Sequence, residues 1–357
     1  MNGLEAITSS PVLTCIDPIT DPLWLRLLER QESSVFHSPD WLRVLRDTYG
    51  LQMRAYVLLD GMDEPCAGMP FCQIEDLRGK HLSSLPFSDY CDPFASDMAQ
   101  WQLLVDKLLA ERCPINLRCV HNSIPLSDKH FKVTKQAMWH MTDLRADVDD
   151  LWSQMHPSAR RATKKAERDG VVVKIAESED TLRAFFEMYL RLRKQKYGLI
   201  AQPYAFFQNI WRQFVEKQKG QLLVAYYGGE LIAGIFFLQW KDSFCYKFNA
   251  SKPEHLSHRP NNLLLWEGMK YAHAAGYQFL DFGLSDLDQE GLLRYKRQYA
   301  TTEKTISFLQ YRPVEALNTQ EQQMRALLPK LTDLFTSEEV PDSVTEKAGE
   351  ELYRFFA

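Results

Sequence analysis

The sequence lacks the signatures of several common functional classes. It contains neither a G-x-x-x-x-G-K-S/T motif nor a G-x-G-x-x-G motif, which excludes nucleotide-phosphate cradles of those two kinds. It has no G-x-S-x-G nucleophile elbow, and neither its cysteines nor its histidines have the spacing of a metal site. No apolar run approaches the roughly 20 residues that a membrane-spanning helix needs. The chemistry must therefore be sought in other residues.

Cysteine is also scarce, with seven residues in a chain of 357. This usage favours free thiols, because disulfide scaffolds are short and rich in cysteine. The first residues show no basic region followed by an apolar core, so no signal peptide is predicted. We therefore expect the protein in the cytoplasm.

The net charge of -5 is spread unevenly along the chain. Residues 151–310 hold 23 Lys and Arg against 16 Asp and Glu, whereas residues 1–150 hold 14 against 22. A basic middle section in an acidic chain favours a partner that carries negative charge.

Hydrophobic periodicity predicts the same order of elements twice: helices, an antiparallel hairpin, a strand, a helix and a strand. The second strand of each hairpin begins with the signature A-G-x-x-F, at Ala67 and again at Ala233. A shared signature in two parallel orders predicts a duplicated domain. The order itself predicts an α/β fold with a mixed (α+β) sheet and helices on its faces.

Five segments then carry a family resemblance: "SLPFSDYCDPFAS", "LWSQMHPSARRATKKAERDGVVV", "AYYGGELIAGIFFLQW", "LDFGLSD" and "GLLRYKRQYA". Together they resemble the tandem acetyltransferase-fold (GNAT) proteins of the Fem type, which include the peptidoglycan-bridge aminoacyl transferases and their exopolysaccharide-associated relatives. The resemblance covers most of residues 35–310. It implies a first GNAT-like domain over 1–150 and a second, catalytic one over 151–310. The C-terminal extension over 311–357 lies outside the resemblance and is predicted to be helical.

The junction between the central strand and the next helix indicates which molecule donates the acyl group. Ordinary acetyltransferases of this fold bind the CoA pyrophosphate there, on the bare amides of a glycine-rich helix start. The chain reads "LSHRPNNLLL" at this point, where Pro260 removes an N–H and no glycine follows. This departure favours aminoacyl-tRNA as the donor, with acyl-CoA and acyl-carrier protein left open. No tightly bound cofactor and no metal are expected.

Two basic clusters suit an anionic acceptor. "SARRATKKAERDG" places Arg160, with Arg161 beside it, on a one-sided basic stripe, which fits phosphates or simply a solvated helix face. In the second cluster, "RLRKQKYG", the resemblance implies a residue that binds the diphosphate of the acceptor. Lys196 matches that position best, and Lys194 is the alternative.

The third basic cluster contains the predicted catalytic pair. In the Fem group an aromatic residue and a lysine follow a glycine after the D-F-G strand. Gly291, Tyr295 and Lys296 match this pattern, with Tyr in place of the usual Phe. The resemblance assigns the lysine to the charge of the donor or of the tetrahedral intermediate. A fixed ammonium beside a developing oxyanion is worth about 3 kcal/mol.

An attacking amine must also lose a proton. Asp281 at a strand end and Asp89 in "PFSDY" are the predicted acceptors, although either carboxylate could instead hold a turn. Tyr90, Asn249 and Ser285 are predicted to hydrogen-bond substrate from strand ends.

The sequence thus predicts an N-acyltransferase that acts on an amine of a large anionic acceptor linked to a nucleotide or lipid diphosphate. With tRNA as a donor carrier and no transmembrane segment, such a protein would meet membrane-bound precursors only peripherally. Two alternatives stay open: a CoA- or carrier-protein-dependent acyltransferase for exopolysaccharide or signal synthesis, and a non-catalytic binding subunit of an envelope polysaccharide machine.

Overall fold

The computed structural model describes residues 11–76, 79–313 and 319–356. By compactness the chain divides into two units. The first takes in the described parts of 1–46, 50–136 and 306–318, and the second those of 47–49, 137–305 and 319–357. The domain boundaries predicted at residues 150 and 310 stay predictions.

Both units are built from strands and helices in alternation. In chain order the elements are β1 (Val12–Ile16), α1 (Pro22–Arg30), α2 (Pro39–Tyr49), β2 (Gln52–Leu59), β3 (Pro65–Asp76), β4 (Gly79–Ser83), α3 (Met98–Ala110), β5 (Ile115–Cys119), β6 (Lys132–Asp143), α4 (Val148–Gln154), α5 (Pro157–Asp169), β7 (Val172–Ile175), α6 (Glu179–Arg191), α7 (Tyr204–Ile210), β8 (Gly220–Tyr227), β9 (Glu230–Trp240), β10 (Ser243–Ser251), α8 (Pro260–Ala274), β11 (Phe279–Asp286), α9 (Glu290–Lys296), β12 (Thr302–Tyr311), α10 (Thr319–Thr336) and α11 (Asp342–Leu352).

Each unit contains a mixed sheet. In the first unit the strand order is β1-β2-β3-β4-β5-β12, and in the second it is β6-β11-β10-β9-β8-β7. One pair in each sheet is parallel, β4 with β5 and β10 with β11. The order of helices, hairpin and parallel strands therefore occurs twice, as in tandem GNAT folds. Helices α10 and α11 confirm the predicted helical tail.

The glycines of the repeated A-G-x-x-F signature have the same structural task. A Cβ on Gly68 would lie 2.6 Å from Leu27 Cδ2, on α1. A Cβ on Gly234 would lie 2.7 Å from Phe185 Cδ2, on α6. In each unit a helix thus packs directly on the backbone of the second hairpin strand, and this shared contact explains the repeated glycine.

Gly234→Ala should lower the free energy of unfolding by about 1–3 kcal/mol, because the added methyl must displace the buried ring of Phe185. Gly291→Ala is the matched control, since a Cβ there meets nothing within 4 Å. That control should leave the protein as stable or slightly more stable, as alanine favours helix. Urea denaturation of the three proteins measures the difference, and equal stability of both variants would contradict the close packing.

The described residues offer neither a bilayer-crossing helix nor a metal-binding cluster. No helix in this part of the chain combines the length and apolar character needed to cross a membrane. No group of three or more His, Cys, Asp or Glu residues there is placed to hold a metal ion. All seven cysteines are free thiols, as the cysteine usage predicted.

Candidate active site

The two parallel strands of the second unit part from one another halfway along. Their pairing ends at Cys245 on β10 and Asp281 on β11, although β10 runs on to Ser251 and β11 to Asp286. β11 also bulges against β6 just beyond the last pair, and Gly283 in the bulge has a φ of +61°. Parting strands leave backbone groups without ladder partners, and other groups must satisfy them.

Lys296 lies at the point where the strands part. Its side chain is buried, and Nζ donates to the carbonyl of Phe282 at 2.6 Å and to that of Leu284 at 2.9 Å. The carbonyl of Gly283 is 3.4 Å away. These three carbonyls belong to the bulge, so the ammonium replaces missing strand partners. The last residue of α9 thereby fixes a positive charge at the apex of the parting strands.

The carboxylate of Asp281 stabilises the same bulge through two hydrogen bonds. Its Oδ1 accepts from Trp139 Nε1 at 2.8 Å and from the backbone N–H of Gly283 at 2.6 Å. The residue is buried, with 6% of its surface exposed. These bonds give Asp281 a structural task beside Lys296, and its predicted role as proton acceptor stays a prediction.

Tyr295 and Asn249 are joined through one asparagine. Tyr295 Oη donates to the backbone carbonyl of Asn261 at 3.0 Å, and Asn249 Nδ2 donates to Asn261 Oδ1 at 3.0 Å. Burial raises the pKa of Tyr295 well above its usual value, so the phenol stays protonated. The network ties α9 and the end of β10 to the first turn of α8.

The start of α8 offers few amides to a phosphate. Pro260 is the first helical residue, and Arg259 before it has a φ of +59° and makes no side-chain cap. The preceding turn is held by side chains, since His258 Nδ1 lies 2.9 Å from Asp169 Oδ2 and its ring stacks on Tyr227 with centroids 4.1 Å apart. Nothing here replaces the glycine-rich amides of the usual CoA site.

The basic end of α6 continues into a π-helical turn. The two lysines predicted to bind the acceptor, Lys194 and Lys196, differ there in burial. Lys194 is buried, with Nζ 3.0 Å from Asp342 Oδ1 and a further bond to the carbonyl of Val340, both from the C-terminal tail. Lys196 is exposed, and its Nζ lies 5.3 Å from the ring centroid of Tyr197. Of the two, only Lys196 is placed to meet a ligand in solution.

Arg193 is the cation that the sequence reasoning missed. Its Nε is buried, and the side chain makes no hydrogen bond or ion pair with any residue that the structure describes. It interacts electrostatically with the hydroxyls of Tyr189, Tyr197 and Tyr353. The residue as a whole is half-buried and keeps its charge at every physiological pH, and a buried N–H group without a hydrogen-bond partner is costly. The side chain is therefore suited to an anionic ligand.

The basic stripe on α5 is separate from the cations at the end of α6. Arg160 is half-buried and Arg161 exposed, and neither forms an ion pair within the described ranges. Lys165 pairs with Asp169 at 2.5 Å. The stripe thus presents at least two cations that carry no acidic partner.

The remaining predicted residues, Asp89 and Tyr90, belong to the first unit. Tyr90 is buried, with its ring centroid 5.3 Å from Phe36 and 5.4 Å from His121. Their loop is anchored by Asp92, whose Oδ1 accepts from three consecutive backbone N–H groups, at 2.9, 2.9 and 2.8 Å. A carboxylate of the protein thus occupies an amide arrangement that could otherwise bind an anion.

His140 is a second residue that no motif indicated. Its side chain is fully buried on β6, and Nε2 lies 2.7 Å from Glu303 Oε2. Glu303 is held in turn by Arg297, at 2.6 and 3.0 Å. Burial lowers the pKa of His140, so the imidazole is neutral near pH 7.

The structure therefore brings five of the predicted residues to the parting strands: Lys296, Tyr295, Asp281, Asn249 and Ser285. The others are dispersed over α5, the end of α6 and the first unit. His140 and Arg193 could not have been found from spacing alone.

The comparisons with known proteins give the same fold. Residues 153–297 match the family model described as "Acetyltransferase (GNAT) domain". None of the curated proteins compared with the chain matches its sequence.

Several solved structures share the fold at low sequence identity. The crystal structure of FemX is 13% identical, with a TM-score of 0.59 over 83% of this chain and 94% of that chain. The structure of L-PGS from Bacillus licheniformis is 12% identical, with a TM-score of 0.55 over 90% and 98%. The C-terminal domain of a putative lysylphosphatidylglycerol synthetase from Agrobacterium fabrum is 12% identical, with a TM-score of 0.54 over 86% and 95%.

Proposed function

We propose that the protein is an N-acyltransferase that moves an acyl or aminoacyl group from an activated ester or thioester to an amine, in agreement with the match of residues 153–297 to the acetyltransferase (GNAT) domain model. The observation that carries this proposal is the buried ammonium of Lys296 at the apex of the parting strands. Acyl transfer builds negative charge on the carbonyl oxygen, and a cation that is already in place stabilises it without reorganisation.

The reaction is direct attack by the amine on the donor carbonyl, without a covalent enzyme intermediate. The charge of Lys296 favours the oxyanion. Tyr295 stays protonated and holds the first turn of α8 against α9, which keeps Lys296 in place. A fixed geometry of this kind is what lowers the barrier of a two-substrate reaction.

The acceptor carries an anionic group, such as a nucleotide- or lipid-linked diphosphate. Arg193 supports this assignment, because its buried Nε has no partner in the described part of the chain. The exposed Lys196 and Arg161 and the half-buried Arg160 add positive charge within the same unit. A role in cell-envelope synthesis is consistent with one fold neighbour, the C-terminal domain of a putative lysylphosphatidylglycerol synthetase.

For the donor, the start of α8 favours aminoacyl-tRNA over acyl-CoA. Pro260 lacks an amide hydrogen, and no glycine follows it in the first turn of α8 to admit a pyrophosphate. The acetyltransferase description of the matching family is the specific reason to keep acyl-CoA, or an acyl-carrier protein, as the second candidate. No tightly bound cofactor is needed for either donor, and docking to a membrane-bound precursor would be peripheral.

Two measurements separate these donors. Calorimetric titration of the protein with acetyl-CoA and with free CoA, in moderate salt, should give no micromolar binding. A radiolabelled pool of aminoacyl-tRNA should then lose its label to an amine acceptor in the presence of the protein. Micromolar CoA binding would move the protein to the CoA-dependent class. Transfer from neither donor, with retained binding of a diphosphate, would identify a non-catalytic binding subunit.

A further inference from the structure

Several buried polar atoms in the second unit have no hydrogen-bond partner among the described residues, and two of them lie on neighbouring strands near the β11 bulge. They are Nδ1 of His140 on β6 and Oγ of Ser285 on β11. Leaving a buried polar atom without a partner costs free energy, so native structures keep such atoms for water, for a ligand or for chemistry. Neither atom has a role in the packing described so far.

Sheet register places the two side chains on one face. Ser285 lies opposite Met138, and His140 follows two positions along β6, on the same side of the strand. Diagonal neighbours of this kind are roughly 7 Å apart at Cβ. A gap of that size takes one small polar group, such as a water molecule or an amine. The bulge held by Lys296 lies on β11 opposite His140 and directly before Ser285.

The hydrogen bond to Glu303 decides which ring nitrogen carries the proton. Arg297 holds the pKa of Glu303 below its usual value, so that carboxylate is ionised and can only accept. Nε2 of His140 must then be the donor in the 2.7 Å contact. In the neutral ring Nδ1 is consequently an acceptor. The charged groups that face His140 are Glu303 from β12 and Lys296 and Arg297 from α9.

We propose that His140 is the proton acceptor of the transfer reaction, with Ser285 Oγ holding the attacking amine, or one relaying water, against its Nδ1. The inference rests on the proposed N-acyltransferase function and adds to it the base that aminolysis requires. Asp281 is less suited to this task, because Trp139 and Gly283 already donate to the same carboxylate oxygen.

The reaction joins the acceptor amine to the donor carbonyl and releases the donor's leaving group. The amine nitrogen forms a bond to the donor carbonyl carbon, and the π pair moves to the oxygen near the charge of Lys296. The proton that this nitrogen loses goes to His140 Nδ1, and Glu303 stabilises the imidazolium. The electron pair on the oxyanion then re-forms the carbonyl of the new amide while the C–O or C–S bond of the donor breaks, and the leaving oxygen or sulfur takes the proton back from His140.

The test combines turnover with spectroscopy. Hydroxamate formation from hydroxylamine is followed with aminoacyl-tRNA and with acetyl-CoA as donors, for wild type, His140→Gln and Glu303→Gln. Glutamine retains a donor toward Glu303 but lacks Nδ1 and does not titrate. We expect a 10²-fold or greater loss of turnover in His140→Gln. The ratio of its rate to that of wild type should be constant above the His140 pKa and should rise as the pH falls below it, because only the wild type loses its active form.

The direction in which turnover changes with pH follows from the protonation state of His140. The neutral imidazole is the active form, so wild-type turnover should fall as pH drops through a pKa below 6.5. The Glu303 hydrogen bond raises that pKa, so Glu303→Gln should move the fall to still lower pH. The ratio of rates cancels the ionisation of hydroxylamine, and a merely structural role would not shift the profile.

The possible failures are distinguishable. Wild-type rate and profile in His140→Gln would overturn the role of His140 while the acyltransferase function stands. No hydroxamate from wild type with either donor would overturn the proposed function and this inference with it. Independently of turnover, ¹⁵N imidazole spectra at pH 7 should show His140 neutral with Nδ1 unprotonated, and a protonated Nδ1 would overturn the assignment. His273→Gln is the control for replacing a histidine of the second unit, because the ring nitrogen of His273 bonds the backbone carbonyl of Leu144. Its turnover and pH profile should match those of wild type.

Discussion

Replacing Lys296 with methionine is expected to lower turnover by about 10²- to 10³-fold, or about 3–4 kcal/mol in the barrier. Methionine retains much of the aliphatic chain but removes the ammonium that lies among the carbonyls of the β11 bulge. The effect should fall on turnover rather than on KM, because the charge that Lys296 stabilises develops only in the transition state. Steady-state kinetics with the donor found by the transfer assays measures it.

Arg294→Met is the matched control for this change. Arg294 belongs to the same helix, α9, but its side chain is exposed. The substitution therefore removes one positive charge from α9 without changing its buried face. It should change turnover less than threefold. Circular dichroism and thermal unfolding must show that Lys296→Met is folded, since methionine leaves the carbonyls of Phe282 and Leu284 without their donor.

A chemical rescue separates charge from folding. Lys296→Cys followed by aminoethylation rebuilds an ammonium on a side chain of nearly the same length. Recovery of turnover, compared with wild type treated in the same way, would assign the loss to the missing charge. Since Cys15 is exposed in the wild type, the treated wild type is an essential reference. Turnover in Lys296→Met within threefold of wild type would reduce Lys296 to a structural cap.

Much of the fold could be predicted because local chemistry is explicit in the sequence. Ser38 accepts from the N–H of Trp41 as an N-cap, and the hairpin between β8 and β9 turns at Gly228 and Gly229, both with positive φ. The weakly patterned strands were not predicted. β6 begins with five exposed residues, and β7 has only four residues, so neither offers an apolar periodicity. Those strands form because neighbouring strands provide their ladder partners.

The candidate site was only partly predictable, for a related reason. Lys296 follows from a short motif, whereas the partners that define other side chains are distant in sequence. Trp139 donates to Asp281 from 142 positions away, and Glu303 orients His140 from 163 positions away. A sequence read without these contacts makes Asp281 a free base and overlooks His140.

Arg193 was missed because of a local departure from helix geometry. At the end of an α-helix, "RLRKQK" indicates solvent-exposed cations that favour the helix dipole. The segment instead forms a π-helical turn over Leu192–Lys196, which alters the spacing of side chains around the axis. Arg193 consequently has a buried Nε, and Lys194 is buried against the C-terminal tail.

Arg193→Met is expected to make the unliganded protein more stable and a poorer enzyme. The free energy of unfolding should rise by about 1 kcal/mol, because a half-buried guanidinium whose Nε has no hydrogen-bond partner is replaced by an apolar side chain. The KM for the anionic acceptor should rise about 30-fold or more with turnover little changed, since the charge binds ground state and transition state alike. Chemical denaturation and acceptor kinetics measure the two effects.

Inorganic pyrophosphate tests the same site without knowledge of the acceptor. It should raise the melting temperature of wild type in low salt, because a ligand that binds only the folded state stabilises it. The rise should be lost in Arg193→Met and kept in Arg212→Met, which removes an exposed arginine from the other π-helical turn, Trp211–Val215. Opposite signs for stability and for anion binding in one substitution would mark Arg193 as a residue retained for a ligand at the expense of the fold. A loss of stability in Arg193→Met, with an unchanged response to pyrophosphate, would contradict the anion site and make the arginine part of the tyrosine packing around Tyr189.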